Sequence, residues 1–532
     1  MTADFHFHTD VLIIGGGPAG AWAALQAVKE GAKAVLVDKG YCGTSGATAP
    51  SGTGVWYVKP TSDEQMKAMK SREALGGYLA ERSWMKRVLD CTFEQVNELA
   101  HFGYPFPVDE KGISQRTTLQ GPEYMRLMRR QLQKAGVQIL DHSPALELLA
   151  DEHGVAGACG INNQTQETWR VEAAAVVIAT GGCAFLSGAL GTNVLTGDGY
   201  LLATEAGAAL SGMEFSNAYS ISPAFSPITK SAFYKWATFY YEDGTVIEGA
   251  GSHKGRSIIA RTLMTQPVYA RLDKADERIQ KAMRLSQPNF FLSFDRLHIN
   301  PFTQMFPITL RFEGTVRGAG GIHIADETCR TDIPGLYAAG DAATRELICG
   351  GFTGGGSHNA AWAISSGCWS GKAAAAFAVK QGRNAANRHA KGLSEASGVT
   401  KSVASSDAAD TKEMIASVQR EVFPYDRNWF RSEVRLQDSL MKLNAVWNEL
   451  KNGVYDKERN IVRSRELAAM TATARWMYTS ALERKETRGM HRRDDFPFMD
   501  SKQHYRILSG GVQEVWARPL GTKSSNHVKG VI

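Results

Sequence analysis

Residues 10–20 read DVLIIGGGPAG, an apolar run that ends in glycines and continues as a G-x-G-x-x-G motif over Gly15–Gly20. The apolar run predicts a buried parallel strand. Pro18 to Gly31 has helical spacing, and Lys33 to Asp38 (KAVLVD) predicts a second strand. A glycine motif between a strand and a helix, followed about 20 positions later by an acidic residue, predicts a dinucleotide-binding βαβ unit.

Each position of this motif has a physical role. Gly15 would make the tight turn, Gly17 would let the backbone approach a pyrophosphate, and Gly20 would let the helix pack closely on the strand. The helix N-terminus offers free N–H groups and the positive end of its dipole to phosphates. Asp38 would accept hydrogen bonds from a ribose, which disfavours a 2′-phosphate and therefore NADP. The motif alone does not decide between FAD and NAD.

Composition indicates a globular protein. The chain has 532 residues, of which 43 % are apolar and 21 % charged, and these fractions exclude disordered and fibrous proteins. Glycine is in excess at 53 residues, so many positions need its backbone freedom. The net charge of +6 is mild and forms no basic block. The sequence therefore predicts no nucleic-acid binding and is compatible with a small anionic substrate.

Cysteine usage and hydropathy indicate the compartment. The seven cysteines are scattered without a C-x-x-C pair, which argues against disulfides, a metal site and a cluster-ligating run. A reduced, cytoplasmic environment fits this pattern. Residues 1–10 do not resemble a signal peptide, and no apolar run approaches 18 residues, so no membrane insertion is predicted.

The rest of the chain divides into segments that differ in their pattern of apolar, polar and glycine residues. Residues 62–100, 121–136 and 198–209 predict helices, and 137–148, 155–160 and 172–182 predict strands. From about 221 to 310 the glycine-rich strand pattern is interrupted, so this segment predicts an insertion into one sheet-based domain. Residues 386–411 are rich in Ala, Ser and Lys and predict a linker, and residues 412–485 show long helical patterns.

Two later glycine turns connect the chain to a known family. Ala179-Thr180-Gly181-Gly182 ends a predicted buried strand, and Gly335–Asp341 reads GLYAAGD. A GLYAAGD segment downstream of an N-terminal dinucleotide motif resembles the two-dinucleotide-fold flavoproteins, where the acidic residue meets FAD. Gly197–Phe215 and Arg484–Asp494 further resemble the fumarate reductase, succinate dehydrogenase and L-aspartate oxidase flavoproteins.

The resemblance spans residues 10–500 and implies an α/β fold of the two-dinucleotide-binding-domain flavoprotein type. It implies an FAD-binding domain in two parts, an inserted capping domain and a C-terminal helical domain. The predicted boundaries are 1–220 and 311–385 for the FAD-binding domain, 221–310 for the capping domain, 386–411 for the linker and 412–532 for the helical domain.

The resemblance also implies the cofactor and its contacts. Covalent members attach FAD through a histidine in an S-H-T-type segment, where Ser45–Thr48 of this chain has Gly46. Non-covalent FAD is therefore expected, with no metal. The residues expected to bind FAD are Gly15, Gly17, Pro18, Ala19, Gly20, Asp38, Lys39, Ser45, Gly46, Thr48, Ala179, Thr180, Gly181, Asp198, Gly340, Asp341, Gly356 and Ser357.

Two departures from the family concern the substrate. Arg317 stands at the histidine place of the family's H-x-M-G-G-I segment, and Thr353 stands at the arginine place of its R-L-G-G-N-S segment. Both replaced residues clamp substrate in the dicarboxylate enzymes, so ordinary fumarate or succinate turnover is disfavoured. The glycine-rich G-S-H run ending at His358 is closer to the α subunit of adenylylsulfate reductase.

Four residues are predicted to be catalytic. Arg256 and Arg261 lie in a stretch that resembles the capping-domain segment whose arginine donates a proton, and Arg256 is the better match. A desolvated guanidinium both clamps an anion and relays a proton. Arg317 would hold an anionic substrate or stabilise the reduced flavin, and His358 would lie near the flavin. The alternatives are surface ion pairs for the arginines and a structural histidine.

The sequence thus predicts an FAD-dependent oxidoreductase that transfers a hydride or an electron pair through flavin N5. The substrate would be either an organic acid with a reducible double bond or an oxidised sulfur compound. The second choice implies a ferredoxin-like iron–sulfur partner. The alternatives from other classes are a flavoprotein that acts on RNA and a flavin-binding subunit without catalytic activity. Oligomeric state stays open. Arg488, His491 and Arg493 are predicted to brace a domain junction.

Overall fold

The first half of the chain builds a layered α/β unit. The computed structural model describes residues 3–109, 111–229, 231–252, 255–352, 355–382, 390–394, 402–403, 410–452, 454–455 and 461–521. Up to residue 211 its elements are β1 (Phe5–Ile14), α1 (Pro18–Lys29), β2 (Ala34–Val37), β3 (Gly52–Gly54), α2 (Ser62–Glu73), α3 (Arg82–His101), β4 (Thr118–Gln120), α4 (Gly121–Lys134), β5 (Gln138–Leu140), β6 (Ala145–Asp151), β7 (Gly154–Ile161), β8 (Thr168–Ile178), α5 (Asp198–Glu205) and β9 (Leu210–Ser211).

A four-stranded antiparallel sheet with three helices occupies residues 218–313. The sequence predicted an insertion over residues 221–310. The aromatic rings of Phe233, Phe290 and Phe294 pack together beneath this sheet. The elements are β10 (Ala218–Pro223), β11 (Thr238–Tyr240), α6 (Arg256–Leu263), β12 (Val268–Arg271), α7 (Glu277–Ser286), α8 (Pro288–Arg296) and β13 (Phe306–Glu313), and the strand order is β10-β13-β12-β11. We call residues 218–313 the cap.

The remaining elements return to the first unit and then form a helical region. They are α9 (Gly314–Arg317), β14 (Gly321–Ile322), β15 (Leu336–Ala338), α10 (Glu346–Cys349), α11 (Gly355–Gln381), β16 (Lys391–Gly392), β17 (Ser402–Val403), α12 (Thr411–Val422), α13 (Tyr425–Asn428), α14 (Glu433–Lys451), β18 (Val454–Tyr455), α15 (Ile461–Glu483), β19 (Ile507–Gly510) and β20 (Trp516–Pro519).

The main sheet brings the glycine turns together. Its strand order is β16-β6-β7-β8-β1-β2-β5, and β15 also pairs with β8. β1 runs parallel to β2 and β8, with Ile13 opposite both Leu36 and Val177. β15 runs parallel to β8, with Tyr337 opposite Val177. Because parallel strands end at the same edge, the turns after β1, β8 and β15 share one edge, where open α/β sheets bind ligands.

Two glycines fix helix α1 against the long helix α11. A Cβ on Gly367 would lie 2.4 Å from the carbonyl oxygen of Ala19, and a Cβ on Gly371 would lie 2.1 Å from that of Ala23. Real side chains never approach a backbone oxygen this closely, so both positions need glycine. The close crossing holds the N-terminal end of α1 at the ligand-binding edge of the sheet.

Several segments differ from the sequence prediction. The helix predicted over residues 62–100 is two helices, α2 and α3. The first strand was predicted to begin at Asp10 but begins at Phe5, because Phe5–Thr9 pair with β8. Part of the predicted linker is a strand, since Lys391–Gly392 pair with β6. Residues 386–389, 395–401 and 404–409 of that linker lie outside the described residues. The C-terminal region was predicted to be helical, yet β19 pairs with β9 and β20.

Within the ranges that the structure describes, no helix combines the length and the apolar character required to cross a membrane.

Candidate active site

One large cavity, about 1790 Å³ in volume, lies at the ligand-binding edge of the main sheet. Its walls include the glycine turns after β1, β8 and β15, the cap, and the first turns of α15. A single space therefore reaches from the predicted dinucleotide site to the predicted substrate site.

The glycine loop has the shape that a pyrophosphate requires. Gly15 has φ +112° and a Cβ there would lie 2.3 Å from the carbonyl oxygen of Ala179, while a Cβ on Gly20 would lie 1.8 Å from that of Gly15. Gly17, Pro18 and the first turn of α1 line the cavity. No atom lies within 4 Å of the Cβ position of Gly17, so its backbone is open to a ligand. A helix N-terminus at an open backbone suits phosphate.

Asp38 organises this loop. Its Oδ2 accepts a hydrogen bond from Gly16 N at 2.6 Å, and its Oδ1 accepts from Gly40 N at 2.8 Å and from the Ser45 hydroxyl at 2.7 Å. The residue is only 6 % exposed but lines the cavity. The sequence predicts a ribose ligand for Asp38, and in the structure Asp38 joins the loops that follow β1 and β2.

Lys39 belongs to an ion-pair cluster that the sequence did not predict. Its Nζ lies 2.9 Å from Asp198 Oδ2 and 2.5 Å from Glu466 Oε1, and it donates to the Thr196 hydroxyl at 2.8 Å. Lys39, Asp198 and Glu466 all line the cavity. Because Glu466 lies on α15, the C-terminal region closes this end of the cavity. Its contribution could not be predicted from spacing, since more than 400 residues separate α15 from β2.

The other predicted cofactor residues are largely at the cavity. Gly46 has φ +83° and nothing within 4 Å of its Cβ position. Because a glycine stands here, this position offers no histidine for a covalent bond to the flavin. Gly20 packs within the motif, and Gly356 lies in the first turn of α11. The predicted residues that line the cavity are Gly15, Gly17, Pro18, Ala19, Asp38, Lys39, Ser45, Gly46, Thr48, Ala179, Thr180, Gly181, Asp198, Gly340, Asp341 and Ser357.

Two arginines face the cavity at its cap end. Arg256, the first residue of α6, lines the cavity and donates to the carbonyl oxygen of Tyr219 at 3.2 Å. Burial, followed by the nearby charge of Arg317, lowers the pKa of Arg256 to about 10. A guanidinium with a lowered pKa gives up a proton more readily than an ordinary one and is still charged at neutral pH. Arg256 can therefore act as both an anion clamp and an acid.

Arg317 also lines the cavity, and its side chain forms an ion pair with Glu313. Its Nε lies 3.5 Å from Oε2 of Glu313, a fully buried carboxylate. Glu313 also accepts hydrogen bonds from Ser220 and, at 2.7 Å, from the hydroxyl of Thr229. These partners fix the carboxylate, and the carboxylate in turn orients Arg317 toward the cavity.

Two predicted catalytic residues lie elsewhere. The Arg261 side chain is 62 % exposed, lies 3.7 Å from Asp494 and stacks over Phe430, so this prediction was wrong in placing it at the substrate. His358 is fully buried, stacks on Trp56 with 4.2 Å between ring centroids, and is absent from the described cavity wall. Its ring packs beneath the wall that Ser357 forms. Thr353 lies outside the described residues.

Arg72 is a cavity residue that the sequence did not single out. It lies in the last turn of α2 and lines the cavity together with Leu75 and Phe352. Burial lowers its pKa, and its Nε has no hydrogen-bond partner within the described parts of the chain. The sequence analysis placed Arg72 inside a helix predicted over residues 62–100, and no local motif there selects this arginine.

The C-terminal motif braces the molecule. Arg484 Nε lies 2.8 Å from Glu214 Oε1, and Glu486 joins Arg484 to Arg488 at 2.9 and 2.6 Å. These side chains are buried, and Arg488, His491 and Arg493 are not among the described residues of the cavity wall. Glu214 follows β9 in the first unit, so this network joins the C-terminal region to it.

The fold and the site together define an FAD-dependent oxidoreductase. The FAD binding domain family matches residues 10–230, and the fumarate reductase flavoprotein C-terminal family matches residues 420–511. The glycine cradle, the phosphate-binding end of α1 and the open cavity fit this cofactor. The chain therefore carries an FAD binding domain and a fumarate reductase flavoprotein C-terminal domain, and the proteins it resembles over nearly their whole length include a fumarate reductase subunit and L-aspartate oxidase.

Individual relatives are distant but match over nearly their whole length. A subunit of the CoM/CoB fumarate reductase of Methanothermobacter marburgensis is 23 % identical, covering 92 % of this chain and 95 % of that protein. L-aspartate oxidase of Mycobacterium tuberculosis is 26 % identical, covering 95 % and 96 %.

Solved structures share the fold. The flavoprotein of E. coli quinol fumarate reductase has a TM-score of 0.81 at 20 % identity, covering 97 % of each chain. Adenylylsulfate reductase of Archaeoglobus fulgidus has a TM-score of 0.78 at 18 % identity, covering 98 % of this chain and 96 % of that one. The same architecture therefore accommodates both an organic-acid reductase and a sulfur-compound reductase.

Proposed function

We propose that this oxidoreductase acts on a small anion bound between FAD and the cap. The observation that carries the proposal is that Arg256 and Arg317 line the same cavity as the glycine loop of residues 15–20. Two guanidinium groups in a partly dehydrated cavity attract and orient an anion. Glu313 neutralises only one of these two charges, so the cap end of the cavity keeps a positive field.

Bound FAD supplies the two-electron chemistry. The residues of the chain orient the substrate and move its proton. Arg256 donates the proton, because its pKa of about 10 keeps it charged at neutral pH yet makes it more acidic than an exposed arginine. Arg317, held by Glu313, binds the anionic group of the substrate. The cap covers the cavity and limits the access of water.

A sulfur compound is the second candidate substrate. The G-S-H run favours it, since Ser357 of that run lines the cavity and the residues that clamp dicarboxylates in the family are replaced. The seven cysteines of the chain show no cluster-ligating spacing. In this case electrons would come from a separate, ferredoxin-like iron–sulfur protein in the cytoplasm.

A viologen assay tests the proposal and separates the substrates. Reduced viologen would be offered to the purified holoprotein with fumarate or with adenylylsulfate as the acceptor. Oxidation that needs adenylylsulfate favours the sulfur reaction, and oxidation that needs fumarate favours the organic-acid reaction. If neither anion is turned over and neither perturbs the flavin absorption spectrum, the proposed anion site is wrong for both classes.

A further inference from the structure

A cluster of two histidines and a glutamate lies on the main sheet, away from the cavity. His6 and His8 lie two residues apart on β1, so both side chains project from the same face of the sheet. β1 pairs with β8 in a register that sets His8 opposite Glu172 and His6 opposite Arg170. None of the three cluster residues belongs to the described cavity wall.

The three side chains converge on one point. His6 Nε2 lies 3.5 Å from Glu172 Oε1, and His8 Nδ1 lies 3.4 Å from Glu172 Oε2. One potential ligand atom from each residue lies within 4.8 Å of the other two. Tetrahedral zinc with bonds of about 2.0–2.1 Å separates its ligand atoms by roughly 3.3 Å. Small rotations of the exposed imidazoles would therefore complete three of the four zinc positions.

From this geometry we propose that His6, His8 and Glu172 form a surface site for a divalent transition-metal ion, with zinc as the expected ion. Two imidazoles and one carboxylate suit zinc, whereas magnesium and calcium prefer oxygen ligands alone. The fourth position is left to water, because no further histidine, cysteine or carboxylate of the described residues joins the group.

Arg170 is the main competitor for Glu172. Its Nε lies 3.0 Å from Glu172 Oε1, and its guanidinium donates to the carbonyl oxygen of Ala390 at 2.8 Å. Glu172 would bind metal through Oε2 while Oε1 stays with Arg170. That arrangement orients the carboxylate as outer partners of metal ligands do, although the positive charge of Arg170 weakens the attraction for the ion.

Metal binding would also fasten the start of β1. Among the strands that the structure describes, residues 5–9 pair only with β8, since β2 begins opposite Val11. An ion held by both strands raises the free energy of unfolding, and this stabilisation grows with the logarithm of the ion concentration once that concentration exceeds the dissociation constant. The site would therefore add stability to a strand edge and leave the cavity unchanged.

The test is a zinc titration of untagged holoprotein after removal of metal by a chelator. Calorimetry should find one zinc ion per chain with micromolar affinity. His8→Asn and Glu172→Gln should each weaken binding by at least about tenfold. His153→Asn is the matched control, because His153 is an exposed histidine 3.6 Å from a single glutamate, Glu152; it should bind zinc like the wild type.

A spectroscopic readout complements the affinities. Cobalt(II) in the same site should show the intense visible absorption of a tetrahedral ion, and the His8→Asn protein should lack it. Unchanged flavin spectra in all variants would show that they fold. The proposal is overturned if zinc does not bind, if His8→Asn binds it normally, or if the His153→Asn control loses affinity equally, which would indicate scattered surface binding.

Discussion

At the scale of single residues, Arg256 and Arg261 provide a matched pair. Both lie on α6, but only Arg256 lines the cavity, while Arg261 is exposed and paired with Asp494. We expect Arg256→Gln to lower kcat by about 10²–10⁴, the usual contribution of a general acid. Arg261→Gln should leave the rate within about twofold of the wild type, as expected for a surface ion pair. Reduced-viologen oxidation with the accepted anion measures both.

The pH dependence of the rate tests the same assignment. Arg256 donates only while it is protonated, and its pKa is about 10. The wild-type kcat should therefore fall as the pH rises through about 10, and the Arg256→Lys protein should lose rate at a different pH. Equal activity of the Arg256→Gln and Arg261→Gln proteins would contradict the role given to Arg256.

Arg72 should affect binding more than chemistry. It lies on α2, on a part of the cavity wall that is far in sequence from the cap. Arg72→Gln is expected to raise KM roughly three- to tenfold with kcat nearly unchanged, the pattern of a residue that binds ground state and transition state equally. The salt dependence of kcat/KM should weaken as well. A lowered kcat with an unchanged KM would contradict this role.

At the scale of elements, two side-chain hydrogen bonds of the described residues join the cap to the first unit, beside a backbone hydrogen bond from Leu190 N to Pro227 O. Asn289 of α8 donates to the carbonyl oxygen of Pro50 at 3.0 Å, and Gln120 of β4 donates to that of Ser286 at 3.3 Å. At about 1 kcal/mol each, their loss should increase opening of the cap about tenfold or more. Hydrogen exchange of α7 and α8 in an Asn289→Ala, Gln120→Ala protein measures this effect.

A control within the cap keeps that result specific. Gln280 donates to the carbonyl oxygen of Ala275 at 2.8 Å, and both residues lie in the cap. Gln280→Ala removes a similar bond without crossing the boundary, so it should leave exchange of α8 unchanged. Faster exchange in the main sheet of the double variant would show general destabilisation and not cap opening.

Element prediction succeeded where local chemistry determines structure. The βαβ unit of residues 10–38 was predictable because a buried apolar strand, a glycine turn and an acidic strand end leave a clear pattern. The start of β1 was not, because its partly exposed residues lack an apolar run and depend on pairing with β8. β19 was missed for the same reason, because its partner β9 is almost 300 residues away, and β20 in turn pairs with β19.

The site was predictable to a similar degree. The cofactor residues follow strand ends, so their meeting at one sheet edge follows from topology. Arg256 was separable from Arg261 only by the family pattern, because helical spacing alone does not show which side chain faces the cavity. His358 was placed at the flavin because its neighbours are small, yet its ring stacks on Trp56. Glu313 and Arg72 act through tertiary contacts that no local motif records.

At the scale of the whole molecule, the cavity should release its cofactor intact. Gly46 replaces the linking histidine, and the described residues of the cavity wall include no histidine or cysteine that could bond to the flavin. Acid precipitation of the yellow protein should leave all of the flavin in the supernatant and a colourless pellet. Yellow colour in the pellet would mean that a covalent bond exists.

Global stability should depend on pH through one buried acid. Glu346 of α10 accepts a hydrogen bond from the Ser211 hydroxyl at 2.5 Å and is fully buried. Burial, and then the neighbouring charge of Glu214, raises its pKa to about 7. Below about pH 4.5 the folded and unfolded chains both hold this proton, so stability from the group is fully present there. It is lost as the pH rises through about 7, because the unfolded chain releases the proton more easily.

Glu346→Gln should therefore stabilise the protein mainly at high pH. The raised pKa corresponds to about 3 kcal/mol of unfolding free energy between pH 4.5 and 8, and the neutral amide avoids that loss while it can still accept from Ser211. The increase in Tm over the wild type should be larger at pH 8 than at pH 5.5. Glu152→Gln, at a side chain that is 86 % exposed, should shift Tm at neither pH. An equal gain for Glu346→Gln at both pH values would show that packing, and not the charge beside the Glu214–Arg484 pair, sets the effect.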